Sequence, residues 1–557
     1  VKPQIIPLAL CACIASVAAA AETLPNGIVL STPWPPPPQE LTRAPLAEPP
    51  YLKQPPAVIP IDVGRQLFVD DFLVAQTTLK RTHHLAQYHE ASPVFGPDKP
   101  WEGKGSRARA GVFSDGVWFD PQDQLFKAWY WAGADEKGTS STCLTTSKDG
   151  LVWEKPMLDV VPGTNIVLRD EEGFFRNSST VWLDHAEKDP ARRFKMFRVA
   201  KRNGQAWHIH LSFSADGVHW SPGTISAECA DRSTVFYNAF RNVWVYGLRE
   251  GHPVVSRCRG YYENRDVIAG TRWSGMRTKD VKRWWIGADE LDPAREDLAL
   301  RRPPDRPWDH VPSQLYNLDC IAYESVMLGM FTIWRGHPAD ENSRAKINEV
   351  CVGFSRDGYH WSRPDRRAFC PVSEDPKAWN FGNVQSAGGC CLVVGDKLYF
   401  YVGGVNWSGT SRHPDPNNTG LAILRRDGFT SMDADAGGGT LVTRSVKFSG
   451  SHLFVNVAAP RGELRAEVLD EQGAVIAPFT AANCKPITRA DSTKLGLTWN
   501  GTADLSALAG RVVKLRFTLT DGALYAFWIG PDAGGASHGY VAAGGPGFPG
   551  ATDTTGK

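Results

Sequence analysis

Short apolar runs separated by turn-forming residues recur along most of the chain. Val117-Trp-Phe-Asp120 precedes Leu125-Phe-Lys-Ala-Trp-Tyr130, Val181-Trp-Leu-Asp184 precedes Phe194-Lys-Met-Phe197, and Val235-Phe-Tyr-Asn238 precedes Val243-Trp-Val-Tyr246. Ile321-Ala-Tyr-Glu324 with Leu328-Gly-Met-Phe331, and Cys391-Leu-Val-Val394 with Leu398-Tyr-Phe-Tyr401, continue the series. Runs of this length, rich in β-branched and aromatic residues and bounded by turns, predict strands.

A second pattern shares the same period. Ser147-Lys-Asp149-Gly150-Leu-Val-Trp153, Ser214-Ala-Asp216-Gly217-Val-His-Trp220 and Ser355-Arg-Asp357-Gly358-Tyr-His-Trp361 follow one template. Degenerate copies stand at Thr278–Trp284 and Arg426–Phe429, so the five aspartates are spaced by 67, 64, 77 and 70 residues. Asp-Gly suits a tight hairpin, because Gly accepts positive φ and Asp closes the turn with its side chain. Five units of about 70 residues, each with some four strands, predict an all-β chain built as a five-bladed β-propeller over 61–437. Beyond it, residues 438–530 lose the template but keep apolar alternation, which predicts a β-sandwich.

The ends differ in composition. Residues 22–60 carry Pro35 to Pro38 and further Pro pairs, which favour extended backbone and predict a Pro-rich linker or wrapping arm. Residues 531–557 are rich in Gly, Ala, Ser and Thr and predict a disordered tail. Residues 1–21, with Lys2, the apolar stretch Ile5 to Val17 and the small Ala18 to Ala20, read as an export signal. A periplasmic or extracellular location is expected; a lipoprotein, on Leu10-Cys11-Ala12-Cys13, ranks lower. No other segment is apolar enough to form an integral membrane span.

Over 557 residues, 61 Lys and Arg stand against 60 Asp and Glu, so no overall field favours nucleic acid. Nine cysteines follow the signal without C-x-x-C spacings, which makes most of them small buried apolar residues. His208 and His210 share a strand face, but no third metal ligand lies in sequence reach and no metal site is assigned. P-loop, Rossmann, Gly-x-Ser-x-Gly and His-Glu-x-x-His patterns are absent. The sequence is silent on oligomeric state.

Pro100-Trp-Glu102 ahead of the first blade, Phe126-Lys-Ala-Trp-Tyr130, the Ser-x-Asp-Gly-x-x-Trp turns and the following sandwich resemble glycoside hydrolases of families 32, 43, 62, 68 and 130. The resemblance spans residues 61–530. Glu228-Cys229-Ala230-Asp231 is similar to the Glu-Cys-Pro-Asp acid motif of the invertase branch, whose Asn-Asp-Pro-Asn-Gly and Arg-Asp-Pro motifs are absent. The resemblance implies a glycosidase acting on an oligo- or polysaccharide of plant or microbial origin, with carboxylates at the channel mouth. It implies no cofactor; a Ca²⁺ ion in the channel fits the resemblance, although no ligand loop stands in the sequence.

Inner strands of a propeller start at one mouth, and positions two apart share a face. Aligned starts bring Asp115, Asn177, Asp231, Asn317 and Asp319 together there. Glycoside hydrolysis needs one protonated and one ionised carboxyl. Asp115 is assigned as nucleophile or base, Asp231 as transition-state stabiliser or acid, Asp319 as third carboxylate and Glu349 as reserve acid. Arg109, Asn177, Arg232, Gln385 and Trp407 are the expected substrate-binding residues. Glu324 sits at the opposite strand end, where a structural role is expected. Two other readings remain: a non-catalytic carbohydrate-binding propeller, since blade two offers Asn177 where an acid is expected, and a sialidase-like enzyme, against which five repeats count.

Overall fold

The computed structural model describes residues 21–38, 40–133, 139–273, 283–292, 312–336, 347–406 and 417–557. Residues 1–20, which carry nearly all of the expected signal, and most of the degenerate turn at Thr278–Trp284 lie outside them.

The chain is all-β, and five blades follow one another around a ring, the last two hydrogen-bonded into one sheet through Asn348 and Asn383. Blade one runs from Ala110–Gly111 and Val117–Asp120 through Leu125–Ala132 and Ser141–Ser147 to Ile166–Arg169. Blade two comprises Phe174–Leu183, Phe194–Arg202, Trp207–Ser214 and Thr224–Cys229; blade three comprises Thr234–Asn238, Val243–His252, Ser256–Asn264 and Arg283–Gly287. Gln314–Glu324, Val326–Gly336 and Ile347–Ser355 form blade four, with a bridge from Val350 to Cys370 at its outer edge. Blade five runs from Asn383–Ser386 and Leu392–Val394 through Lys397–Val405 to Asn417–Arg425. Its outermost strand is Gln87–Tyr88, which comes from the N-terminal side of the chain.

Adjacent inner strands touch directly. Ser179 N donates to Phe113 O and Val181 N to Asp115 O, joining blades one and two. Ser178 Oγ reaches Ser233 O and Thr234 Oγ1 reaches Leu318 O, joining two to three and three to four. Ser386 Oγ reaches Asp319, and Ser114 N donates to Ser386 O, so blade five meets blades four and one.

The repeated turns dock on neighbouring blades. In each, the Ser hydroxyl accepts from the Gly N–H and the Asp carboxylate accepts from the two amides after Gly, as with Ser214, Asp216, Val218 and His219. Gly217, at φ +81°, lies against Trp129 of blade one, where an added Cβ would stand 2.5 Å from the ring. Trp129 Nε1 donates to Gly217 O, and Tyr401 of blade five donates to Gly150 O. The template therefore encodes a joint between blades as well as a turn within one.

The second module differs from expectation in its boundaries. Its sheets take Gln66–Leu67, Val74–Thr77 and Lys80–His83 from the N-terminal side and Thr430–Ala434 from the end of the predicted propeller. The long strand His452–Leu469 pairs with Gly522–Gly530 through its first half and with Lys514–Thr520 through its second, bending near Pro460 to serve both sheets. Phe68, Phe72, Leu453, Val455, Phe517 and Phe527 fill the space between them. Alternation alone could not reveal that strands some 350 positions earlier complete this core.

Both compositionally biased segments are packed against the rest of the chain. The Pro-rich segment is a packed arm in which Leu24, Ile28, Leu30 and Tyr51 are buried, and Ile59–Pro60 pairs with Val446–Lys447. Residues 531–557, expected to be disordered, instead seal the far end of the channel. Tyr540–Val541 pairs with Tyr323–Glu324, Ala543 O accepts from Phe119 N, and Val393 N donates to Gly544 O. Small residues order here because they fit between inner strands and satisfy backbone groups there. All nine cysteines among the described residues are free, and eight of them are buried.

Candidate functional site

At the open mouth, the inner strand of blade one is broken between Gly111 and Val117, with Ser114 at φ +63°. The break turns Asp115 inward, where it is completely buried. Its Oδ2 accepts from Phe113 N, and its Oδ1 accepts from Arg176 Nη2 at 2.5 Å. Burial pushes the Asp115 carboxyl up to about 6, against the opposing pull of Arg176.

Asp319 lies on blade four, two positions beyond Asn317 on the same strand face. Its Oδ2 accepts from Asn317 Nδ2 at 2.7 Å, Ser386 Oγ at 2.5 Å and Ser114 Oγ at 3.1 Å. Burial raises this carboxyl above the usual range, opposed by the Ser386 hydrogen bond and by Arg232. Three blades thus hold one oxygen in place.

Arg232 occupies the entry to blade three in left-handed backbone, φ +62°, a costly conformation for a long side chain. Its N–H donates to Asn177 Oδ1 at 3.2 Å. The guanidinium stacks 3.6 Å over Phe113 and lies 5.3 Å from the Tyr316 ring. It is 2% exposed, and none of its three nitrogens has a hydrogen-bond partner among the described residues. Burial lowers its pKa; Tyr316, Asp319, Asp231 and Asp115 act in the other direction. Beneath it, Arg259 donates to the carbonyls of Arg232 and Tyr316.

The remaining predicted residues are placed as follows. Asp231 stands at the rim, 37% exposed, with Arg249 at 3.7 Å. Asn177 bridges blades two and three through Arg232 N. Arg109 lies 4.3 Å over the half-buried Trp131. Gln385 Nε2 donates to Asn383 Oδ1, leaving a buried Oε1 without a partner. Glu349 is not brought to this cluster. Its neighbour Asn348 faces Asn383, so alternation turns Glu349 the other way, to Arg335 at 3.2 Å and Val372 N. Trp407 lies outside the described residues.

Sequence reasoning missed Arg176, Arg259, Ser114, Ser386 and Trp131. Two of these were within reach of it: Arg176 and Ser386 both flank aligned strand starts, but nothing in the pattern marks them as polar anchors. Trp379 packs against Gly404 and Gly420 and edge-on to Tyr88. His208 Nδ1 donates to Ser226 O, and among the described residues no group of three His, Cys, Asp or Glu is arranged to hold a metal ion. Two clefts of the described surface lie elsewhere, one under the N-terminal arm beside Trp34 and Tyr51, the other at the far end beside Trp118 and Tyr540. The mouth is the candidate site, because buried polar atoms of Arg232 and Gln385 lack hydrogen-bond partners there among the described residues.

No family model and no curated protein matches the chain. Among solved structures it is similar to an N-acetylgalactosamine deacetylase from F. plautii, at 12% identity over 62% of this chain and 95% of that one, TM-score 0.41. It is similar to a structure from work on the glycoside hydrolase family 130, a family of mannoside phosphorylases that contains hydrolases targeting β-1,2-mannosidic linkages in Candida mannan (13% identity, 65% and 96% covered, TM-score 0.37). An exo-β-1,3-galactanase from Phanerochaete chrysosporium gives 9% identity over 75% and 96%, TM-score 0.33.

Proposed function

We propose that the protein is a glycoside hydrolase, exported to the periplasm or beyond the cell, that cleaves a plant or microbial glycan at the propeller mouth. The observation that carries this reading is the gathering of Asp115, Asp231 and Asp319, from three blades, around the single guanidinium of Arg232. Two of these carboxyls are buried and raised while one is at the rim, the kind of division of environments that separates an acid from a base.

The roles differ from those expected from the sequence. Asp115 is completely buried and engaged with Arg176, so it suits a positioning residue that fixes Arg176 beside the mouth. Asp319, raised by burial, is suited to protonate the departing glycosidic oxygen. Asp231, the exposed carboxylate, is suited to attack the anomeric carbon or to take a proton from the attacking water. Trp131, half-buried beneath Arg109, offers a ring at the edge of the site.

A non-catalytic carbohydrate-binding propeller is the second reading, favoured by the three donors already occupying Asp319 Oδ2. Release of reducing sugar from a panel of plant, algal and bacterial glycans separates the two. The hydrolase reading expects release by the wild type that falls by about 10²-fold or more in both Asp231→Asn and Asp319→Asn. Binding of a glycan with no release from any would replace it with the binding reading.

A further inference from the structure

Each carboxylate of the mouth already has its partners. Asp115 is held by Arg176, Asp231 stands beside Arg249, and Asp319 takes hydrogen bonds from two hydroxyls and an amide. Arg232 is left over. A buried guanidinium with no partner is costly, because its five N–H donors have lost water and gained nothing in return. Arg259 does not relieve this: it is a second buried cation, and its two terminal nitrogens are committed to carbonyls. The Arg232 backbone also stays in left-handed conformation to hold the group there.

Phe113 covers one face of the guanidinium at 3.6 Å and supports it against tilting. Its in-plane edges, where the N–H groups point, are therefore the part that remains to be satisfied. A planar fork of donors on an aromatic shelf matches a carboxylate bidentately and a sulfate through two oxygens. A neutral sugar offers hydroxyls, which leave the charge uncompensated.

We propose that the glycan recognised at this mouth carries an anionic substituent, a uronate carboxylate or a sulfate ester, and that Arg232 is the residue that binds it. This deepens the glycan reading of the same site and rests on it. The anion would supply the direct ion pair that the described residues do not give Arg232, so a preference for acidic over neutral sugar is built into the mouth.

The test uses the full chain and titration calorimetry with trigalacturonate, its methyl ester and galactose 6-sulfate. The expected result is binding of trigalacturonate or the sulfated sugar at least ten-fold tighter than the ester, the stronger of the two naming the anion. Arg232→Gln is expected to abolish that preference while retaining the thermal midpoint within a few degrees. Should this variant fail to fold, the acid-to-ester ratio of the wild type decides alone. Equal binding of acid and ester, tighter binding of the ester, or no binding of any probe overturns the proposal. Acidic sugar bound but never cleaved would sink the hydrolase reading and leave this one standing; cleavage confined to neutral glycans would do the reverse.

Discussion

At the far end of the channel Arg65 and Arg426 form ion pairs with three carboxylates, Glu324, Asp427 and Asp553; at the mouth Arg232 has carboxylates nearby but no side-chain hydrogen bond or ion pair among the described residues. The far cluster is cross-linked: Tyr323 and Asn456 donate to Asp427, Ser537 and Arg65 N donate to Glu324, and Arg65 stacks 4.1 Å over Trp528. It joins blade four, the sandwich and the C-terminal segment, so its charges hold modules together. Asp115, Asp319 and Arg232 are as deeply buried as the far cluster and use the same residue types. What separates them is pairing: both arginines of the far cluster have carboxylate partners, whereas at the mouth Arg232 has none in direct contact among the described residues. Burial of charge is thus no guide to function until the partners are counted.

The contrast breaks most visibly at the far end. Glu324→Ala leaves Arg65 and Arg426 short of a buried partner and is expected to cost about 3–5 kcal/mol by denaturant unfolding, while glycan binding by the folded fraction stays unchanged. A loss of binding at unchanged stability would show that the two ends are not separate in role. Asp115→Asn is expected to cost about 3 kcal/mol through the abandoned Arg176, and also to alter the pH profile. A carboxyl raised to about 6 takes up a proton on folding, so its contribution is present below pH ~4 and lost as pH rises through about 6. Stability of the wild type between pH 4 and 7 should therefore fall more steeply than that of Asp115→Asn; parallel curves would remove the assigned shift.

Gly389→Ala tests the seal. Gly389 is at φ +81°, and an added Cβ would lie 2.9 Å from Val117 O and 3.0 Å from Ala543 Cβ, so a loss of about 1–3 kcal/mol is expected, with the C-terminal segment becoming open to proteolysis first. Resistance equal to wild type would mean that the segment does not depend on this fit. Asp231→Asn should be the mildest for stability, within about 0.5 kcal/mol because the side chain is at the rim, yet it should abolish turnover. A variant that keeps its rate would leave the mouth without its exposed carboxylate role.

Strand positions and blade count were readable from the sequence because both rest on local patterns: alternating apolar runs and an Asp-Gly turn whose Ser and Asp close it internally. Asp115, Asp231 and Asp319 could be brought to one mouth by aligning strand starts, since period two fixes the face. Their roles could not, because exposure depends on what other blades contribute, and Ser114, Ser386 and Arg176 lie up to 272 positions apart. The C-terminal segment was misread for a related reason. Its Gly and Ala residues offer little apolar area, and composition counts that against order, but here the backbone itself supplies the hydrogen bonds. Glu349 failed through a single step of alternation, which sends Asn348 and not Glu349 toward the channel.

The strand Gln87–Tyr88 closes blade five by pairing with Ala422 and Ile423, and Lys80–His83 pairs with Thr430–Asp433. As the ribosome releases the chain, these early residues have nothing to pair with until more than 330 further residues have been made. Blades two and three contain all their own strands and can form while synthesis continues. The first and second modules are finished together, after synthesis has passed Gly530, and that late closure sets the pace of folding through the entropy of bringing such distant segments together. Until Ala422 and Ile423 have been made, Gln87–Tyr88 stays an unpaired strand, and in a cell it is the surface a chaperone would have to guard.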